Sequence, residues 1–188
     1  LAKISNFRIN QAVRVLRAGG VIAYPTEGVW GLGCDPDNPA AVLRLLELKR
    51  RDMAKGLVLV AAEIEQFAAH LHGLRMEQQR QLQASWPAAL TWLVPDNGAA
   101  ADWIRGASRS VALRVSPHPA VAGLCRAFGG PLVSTSANPS GRPAAMSALR
   151  VRRYFGDSLD YILAGDLGGR GAPTPIRDLA TGAFLRGG

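Results

Sequence analysis

The sequence predicts one α/β domain, residues 1–188, built on a twisted, open, mixed β-sheet flanked by helices. Three observations predict it. Helix-like and strand-like segments alternate from end to end. The strand-like runs are almost wholly apolar, which predicts strands buried on both faces with helices over the sheet. No Pro-, Gly- or Ser-rich linker divides the chain.

The elements follow in order. Ile9, Ala12, Val13 and Leu16 recur at i, i+3, i+4 and i+7, one face of a helix, and Gly19-Gly20 stops it. Val21 to Tyr24 reads as a short buried strand ended by Pro25. Ala41 to Lys49 is helical, with Val42, Leu45 and Leu46 inward. Leu57 to Val60 is a second apolar strand. Ile64, Phe67, Ala68 and Leu71 mark a helix, and Met76 to Ala84 another. Leu90 to Val94 and Val111 to Val115 read as strands. Val121, Ala122, Cys125 and Phe128 form a helical face closed by Gly129-Gly130. Pro131 to Val133 is a strand running into a polar loop. Leu149 to Phe155 is helical, and Leu159 to Leu163 and Ile176 to Leu179 are strands.

Composition narrows the function classes. With 48% hydrophobic and 19% charged residues, the chain is globular and not disordered. No apolar run reaches the ~20 residues of a membrane helix. Leu1 to Arg14 lacks an apolar signal core, so a soluble, cytoplasmic protein is expected. Cys34 and Cys125 have no metal-ligand spacing and are too few for a disulfide framework; small buried side chains are expected there. The formal charge of +8 favours anionic partners, although a basic solvated surface would give the same figure.

Four segments carry unusual residue choices. Tyr24 to Gly33 follows a strand, offers the Thr26 hydroxyl and holds three glycines that let backbone approach a ligand. It could equally be a glycine-rich turn around a packed Trp30. Lys49 to Gly56 brings Lys49, Arg51 and Lys55 into one loop. If Lys49 to Arg51 is extended, Lys49 and Arg51 point the same way, which suits a triphosphate. Cations at a helix C-terminus would explain the same residues.

Ser110, Ala112 and Arg114 share one face of a strand. A strand arginine among apolar residues needs a structural acid or a ligand carboxylate. His118, between two prolines, reads as a turn residue. Ser134-Thr135-Ser136-Ala137-Asn138-Pro139-Ser140 leaves a buried strand with a density of small donors that suits phosphate or ribose, or a capped turn. His70 and His72 diverge on a helix and cannot chelate together. No nucleophile elbow and no carboxylate pair stand out. Phosphate chemistry run by positioning and electrostatics fits better than a covalent hydrolase.

Taken together, these segments resemble the YrdC family of threonylcarbamoyl-AMP synthases. The likeness runs from Val21 to Gly188. It includes Tyr-Pro-Thr-Glu with Gly-Leu-Gly, then Lys-x-Arg at Lys49 and Arg51, then an arginine strand ending in His-Pro. Ser-x-Asn at Ser136 and Asn138 follows, with Ser-Gly after it. Pro173 to Asp178 matches the family's Ser/Thr-containing turn, and Phe184-Leu185-Arg186-Gly187 its closing motif. The chain closes there, as the short bacterial members do.

The resemblance implies a concave, basic sheet surface that holds ATP and threonine. It implies ATP contacts from Lys49, Arg51, Lys55, Ser110, Ser134, Ser136, Asn138 and Arg186, with Lys49 and Arg51 catalytic. Thr26, Arg114 and Thr174 would hold threonine, Arg114 on its carboxylate. The implied reaction condenses L-threonine, bicarbonate and ATP, with Mg²⁺ bridged by the phosphates and no protein metal site. The product would serve modification of tRNA beside the anticodon, with tRNA met directly or through a downstream threonylcarbamoyl transferase, and no membrane involved.

Departures are Gly28 and Trp30 in the first loop, Asp52 after Lys-x-Arg, and Ala88-Ala89 where the family has Gly-Pro. Gly28 removes a hydroxyl from the threonine wall, and Ala88-Ala89 is expected to shift its loop. Two other readings fit the charge: a basic RNA-binding module, and a different ATP-dependent carbamoyl transferase. Only 6% aromatic residues argues against a single-strand stacking platform.

Overall fold

The structure, a computed structural model, describes residues 4–186. Helix α1 (Asn6–Arg17) starts at Ser5, whose hydroxyl accepts from Arg8 N–H, and buries the predicted face. β1 (Ile22–Pro25) and β2 (Trp30–Gly33) pair antiparallel. Helix α2 (Pro39–Lys49) has Asn38 as its cap and Pro39 in its first turn, the position where a missing N–H costs nothing. Then come β3 (Val58–Ala61), α3 (Ala68–Leu71), α4 (Met76–Ser85), β4 (Thr91–Pro95) and α5 (Asp102–Arg105). β5 (Ser110–Val115), α6 (Pro119–Phe128), β6 (Leu132–Ser136) and α7 (Ala148–Phe155) follow. β7 (Tyr161–Ile162), β8 (Ile176–Asp178) and β9 (Phe184–Arg186) close the chain.

The strands form one mixed sheet in the order β7-β1-β2-β6-β3-β5-β4-β8-β9. β1–β7, β3–β5 and β4–β8 run parallel, and the other pairs antiparallel. One face carries the larger core. Leu59 of β3, Trp92 of β4, Leu113 of β5 and Val133 of β6 pack there against Val42, Leu45 and Leu46 of α2 and Val151 and Phe155 of α7. On the other face, α1 and α6 cover Ile22, Tyr24, Val60 and Leu132.

That second cover is incomplete. Val58, Leu93, Ala112, Arg114, Ser134 and Ser136 face a cavity instead of a helix. The expectation that the apolar strands are buried on both faces therefore holds for one half of the sheet. In the other half, alternation with period two sends one set of side chains to the core and the next to the cavity.

Several elements differ from the sequence expectation. β6 continues through Ser134 to Ser136, which read as loop, because Gly31 and Leu32 of β2 and Val58 of β3 pair with that stretch. Segment 64–71 is a 3₁₀ turn followed by a single α-turn, and the strand expected over 159–163 keeps two residues. β2, α5 and β9 were not anticipated; their composition carries no strong propensity. Lys49 to Arg51 is not extended. Lys49 ends α2, and Arg50 adopts a left-handed conformation (φ 51°) that reverses the chain.

Among the described residues no helix is long and apolar enough to cross a membrane. Cys34 and Cys125 are free and buried, and burial pushes both thiols up to about 12.

Candidate active site

The cavity on the open half of the sheet has a volume of about 320 Å³. β5 supplies Ser110, Ala112 and Arg114 from one face, as the sequence predicted, and β6 supplies Ser134 and Ser136. Thr26, Arg51, Lys55, Thr174 and Arg186 complete the polar part of the lining. Trp30, Leu93, Ile176 and Leu185 give it apolar walls. Arg105 and Ser108, which the sequence reading did not single out, also line it.

No carboxylate is among the lining residues. Four guanidinium groups meet there. Arg105 pairs with Asp96 and Asp102 outside the lining, and Arg51, Arg114 and Arg186 have no balancing acid in the cavity. Arg51 donates from Nη2 to Gly56 O (2.9 Å), while its Nε is buried without an acceptor. Arg186 donates from Nε and Nη2 to Thr174 O (3.2 and 2.6 Å). Burial lowers the pKa of Arg51, and burial followed by Arg114 and Arg51 lowers that of Arg186. Mutually repelling, partly desolvated cations around one void make an anion site.

Arg114 is itself buried. It donates from Nη1 to Thr174 Oγ1, and Glu27 Oε2 lies 3.7 Å from the same nitrogen. The sequence reading left a structural acid and a ligand carboxylate open as partners. The structure supplies Glu27 behind the cavity wall and still leaves Arg114 Nε without an acceptor. Glu27 was missed. Its signal was there: it is the single acid in a loop of buried residues, opposite an arginine that needs one.

Ser116 donates to Glu27 Oε1 and accepts from His118 N–H (3.2 Å). His118 caps α6: its Nδ1 accepts from Ala120 N–H (3.3 Å), so Nε2 carries the proton and donates to Asp166 O (3.0 Å). Burial holds the imidazole below its usual pKa, which suits this neutral tautomer.

Lys49 and Asn138 do not line the cavity. Lys49 is 3% exposed, and its ammonium donates to Ser136 O and to Asn138 O (2.8 Å). Ser140 N–H returns a bond to Lys49 O (2.7 Å). Asn138 Nδ2 donates to Pro139 O (3.1 Å) and Arg142 O (2.7 Å), and its Oδ1 is buried without a donor. The expected convergence of Lys49, Arg51 and Lys55 is thus realised by Arg51 and Lys55. The turn at Arg50 sends Arg51 outward and leaves Lys49 beneath the Ser136–Asn138 loop. Burial first, then Arg51, lowers the Lys49 pKa to about 7.

At the far end, Thr26 donates to Val29 O (2.7 Å). Residues 164–175 cross this end as a strap. Gly168 N–H donates to Thr26 O and Arg170 N–H to Glu27 O, both at 3.0 Å. A Cβ on Gly28 would lie 1.9 Å from Ala172 O, so Gly28 is what lets the strap sit this low. Asp52 caps the turn at 53–55 by accepting from Ala54 N–H (2.9 Å), and Ala88 N–H reaches Val115 O (3.0 Å). Gly187 of the closing motif lies outside the described residues.

Residues 14–188 match the Sua5/YciO/YrdC family model, which carries the description "Telomere recombination". The chain belongs to this family. Threonylcarbamoyl-AMP synthase of Stutzerimonas stutzeri is 55% identical over 183 residues, 97% of this chain and 98% of that one. The synthase of Cellvibrio japonicus is 54% identical over 181 residues, 96% of each. Among solved structures, P. abyssi Sua5 complexed with L-threonine superposes with a TM-score of 0.91 at 29% identity. That match covers 98% of this chain and 55% of the Sua5 chain, so this chain spans about half of Sua5. The Sua5/YciO/YrdC sheet thus accounts for the whole of the architecture described above.

Proposed function

We propose that the chain is a threonylcarbamoyl-AMP synthase, condensing L-threonine, bicarbonate or CO₂ and ATP into threonylcarbamoyl-AMP and pyrophosphate. The observation that carries this reading is the acid-free cavity where Arg51, Arg114 and Arg186 meet the Ser110, Ser134 and Ser136 hydroxyls. Such a site takes two anions, a triphosphate and an amino-acid carboxylate. The relatives named as synthases over nearly their full length support the choice of substrates.

Arg51, Lys55 and Arg186 hold the phosphates, and the β5 and β6 serines donate to phosphate or ribose. Lys49 and Asn138 fix the Ser136–Asn138 loop from below. Arg114, oriented by Glu27, takes the threonine carboxylate, with Thr26 and Thr174 at the same end. The threonine amine loses a proton and adds to CO₂, forming a carbamate. A carbamate oxygen then attacks the α-phosphorus, the Pα–O bond to the β-phosphate breaks, and pyrophosphate leaves. The chain's residues align the two anions and offset the charge that gathers on the phosphoryl oxygens; no covalent nucleophile is required.

Mg²⁺ fits this reading as a companion of the nucleotide. Among the described residues no group of three or more His, Cys, Asp or Glu is placed to hold a metal. Bound to the phosphates, it would neutralise part of their charge. The product passes to a separate transferase for threonylcarbamoylation of tRNA adenosine beside the anticodon, in the cytoplasm.

The test is pyrophosphate release from ATP and Mg²⁺, with and without threonine and bicarbonate, with the adenylate followed by mass spectrometry. Release that needs both co-substrates and yields threonylcarbamoyl-AMP is expected. Carbamoyl-AMP formed from carbamoyl phosphate, with no need for threonine, would replace this reading by another carbamoyl transfer.

A further inference from the structure

We infer that Arg105, with Ser108 beside it, forms the nucleobase end of the cavity, where the flat face of its guanidinium stacks on the purine of ATP. It rests on the reading that the cavity takes ATP, and it adds which part of the nucleotide lies at this end.

Register across the sheet orders the cavity floor. Leu93, Ala112 and Val58 are neighbours in one apolar row across β4, β5 and β3, with Ser134 of β6 next to Val58. On β5, Ser110 lies two residues before Ala112 and Arg114 two residues after it. Ser110 and Arg114 therefore stand about 13 Å apart along the strand, at opposite ends of that floor. Arg105 and Ser108 belong to the Ser110 end. Ser110 N–H donates to Ser108 Oγ (3.0 Å), and Arg105 Nη1 donates to Ser108 O (2.8 Å).

Arg105 is unlike the other three cavity guanidiniums. Its Nε lies 3.3 Å from Asp96 Oδ2, and its Nη2 donates to Asp102 Oδ1. With Ser108 O on Nη1, every nitrogen has a partner, and two carboxylates outweigh the single positive charge. A phosphate would gain little here and would face both acids. What the group still offers is its face. The side chain keeps 28% of its surface exposed and lines the cavity beside Leu57, Val58 and Ile104. A planar cation held by its edges next to apolar walls suits a flat, uncharged ring. Ser108 adds a directional contact: its oxygen accepts from Ser110, so its own proton is left for a ring nitrogen.

The backbone fixes this end against the phosphate-binding loop. Ala107 N–H donates to Ala54 O (3.0 Å), and Leu57 N–H to Ile104 O (2.8 Å). A Cβ on Gly56 would lie 2.7 Å from Arg105 O, and one on Gly106 2.6 Å from Ala54 O. The two loops touch through glycines, which holds Arg105 close to Lys55. The competing role for Arg105 is a fourth phosphate contact.

Calorimetric titrations of the full chain with Mg²⁺ separate the two roles, with threonine and bicarbonate left out. The ligands are ATP and ribose triphosphate, which carries the same phosphates without the base. Wild type should prefer ATP. Arg105→Ala should lose about tenfold in ATP affinity, the scale of one stacked base, and nothing for ribose triphosphate. Arg105→Lys keeps a cation between the two acids but no plane, and should weaken ATP alone as well. Arg51→Ala, by contrast, should weaken both ligands alike. Equal loss of both ligands in Arg105→Ala overturns the proposal. So does an Arg105→Lys that binds ATP as wild type does, or a wild type without preference for ATP. Should Arg105→Ala unfold in urea where wild type does not, Arg105→Lys carries the comparison. Turnover of the wild type is followed separately. ATP binding with the expected preference but no threonylcarbamoyl-AMP would sink the synthase reading and leave the base contact in force; no ATP binding at all would overturn both.

Discussion

Arg51 buries its Nε with no acceptor and holds its guanidinium among other cations, an arrangement that costs stability until an anion arrives. Arg51→Ala is accordingly expected to lower turnover by about 10²–10³, the scale of losing one preorganised charge-stabilising donor. Urea unfolding should show the midpoint unlowered or slightly raised, since that cost is removed with the side chain; full turnover in Arg51→Ala removes its assigned role. Arg114→Ala is expected to raise the threonine KM more than the ATP KM, read from initial rates with each substrate varied. An unchanged threonine KM would count against the carboxylate contact.

Lys49 makes a different kind of prediction. Its folded pKa of about 7 lies below the usual 10.5, so above pH 7 the unfolded chain binds the extra proton. Stability contributed by this residue therefore rises with pH from about 7 toward 10.5. The difference in unfolding free energy between wild type and Lys49→Met should shift in favour of the wild type from pH 7 to 8.5. A difference that stays flat would show that Lys49 is fully charged under its two carbonyls. Most of the polar residues that line the cavity were legible because motif order is written in the chain; Arg105 and Ser108, outside the motifs, were not. That Lys49 turns beneath the loop was not, because it depends on one backbone dihedral at Arg50.

At the scale of elements, periodicity marked α1, α2, α4, α6 and α7, and apolar runs marked β1, β3, β4, β5 and β8. β2 was hidden because its sequence, Trp-Gly-Leu-Gly, makes sense only beside its neighbours. A Cβ on Gly33 would lie 2.5 Å from Val133 O and 2.8 Å from the Tyr24 ring. Gly33→Ala should therefore cost about 1–3 kcal/mol by overpacking, while Gly130→Ala, with nothing within 4 Å, should be nearly neutral. Chemical denaturation of the two variants separates them. Equal stabilities would mean that β2 is free to move away from β6. The continuation of β6 through Ser134 to Ser136 was hidden for the same reason: polar residues belong in a strand only where one face opens on a cavity.

For the whole molecule, the sheet's strand order and unequal cover create the site. Helices α1 and α6 close one half of a face, and the other half is left to polar and cationic side chains. Alternating elements announced the α/β class, yet which half stays open depends on packing across the chain and was not legible. Concentrating Arg51, Arg114 and Arg186 there sets stability against binding. Arg186→Gln removes the burial cost of a charge and, second to it, the repulsion from Arg114 and Arg51, which together lower its pKa, so the ligand-free Tm should rise. The same change should cut the stabilisation by ATP, which for a ligand at a hundred times its Kd is worth about 2.7 kcal/mol in the wild type. Thermal melts with and without Mg²⁺-ATP test both halves together. A lower ligand-free Tm would mean that the bonds from Arg186 to Thr174 O outweigh the repulsion, and that the strap is held down by this arginine rather than strained by it.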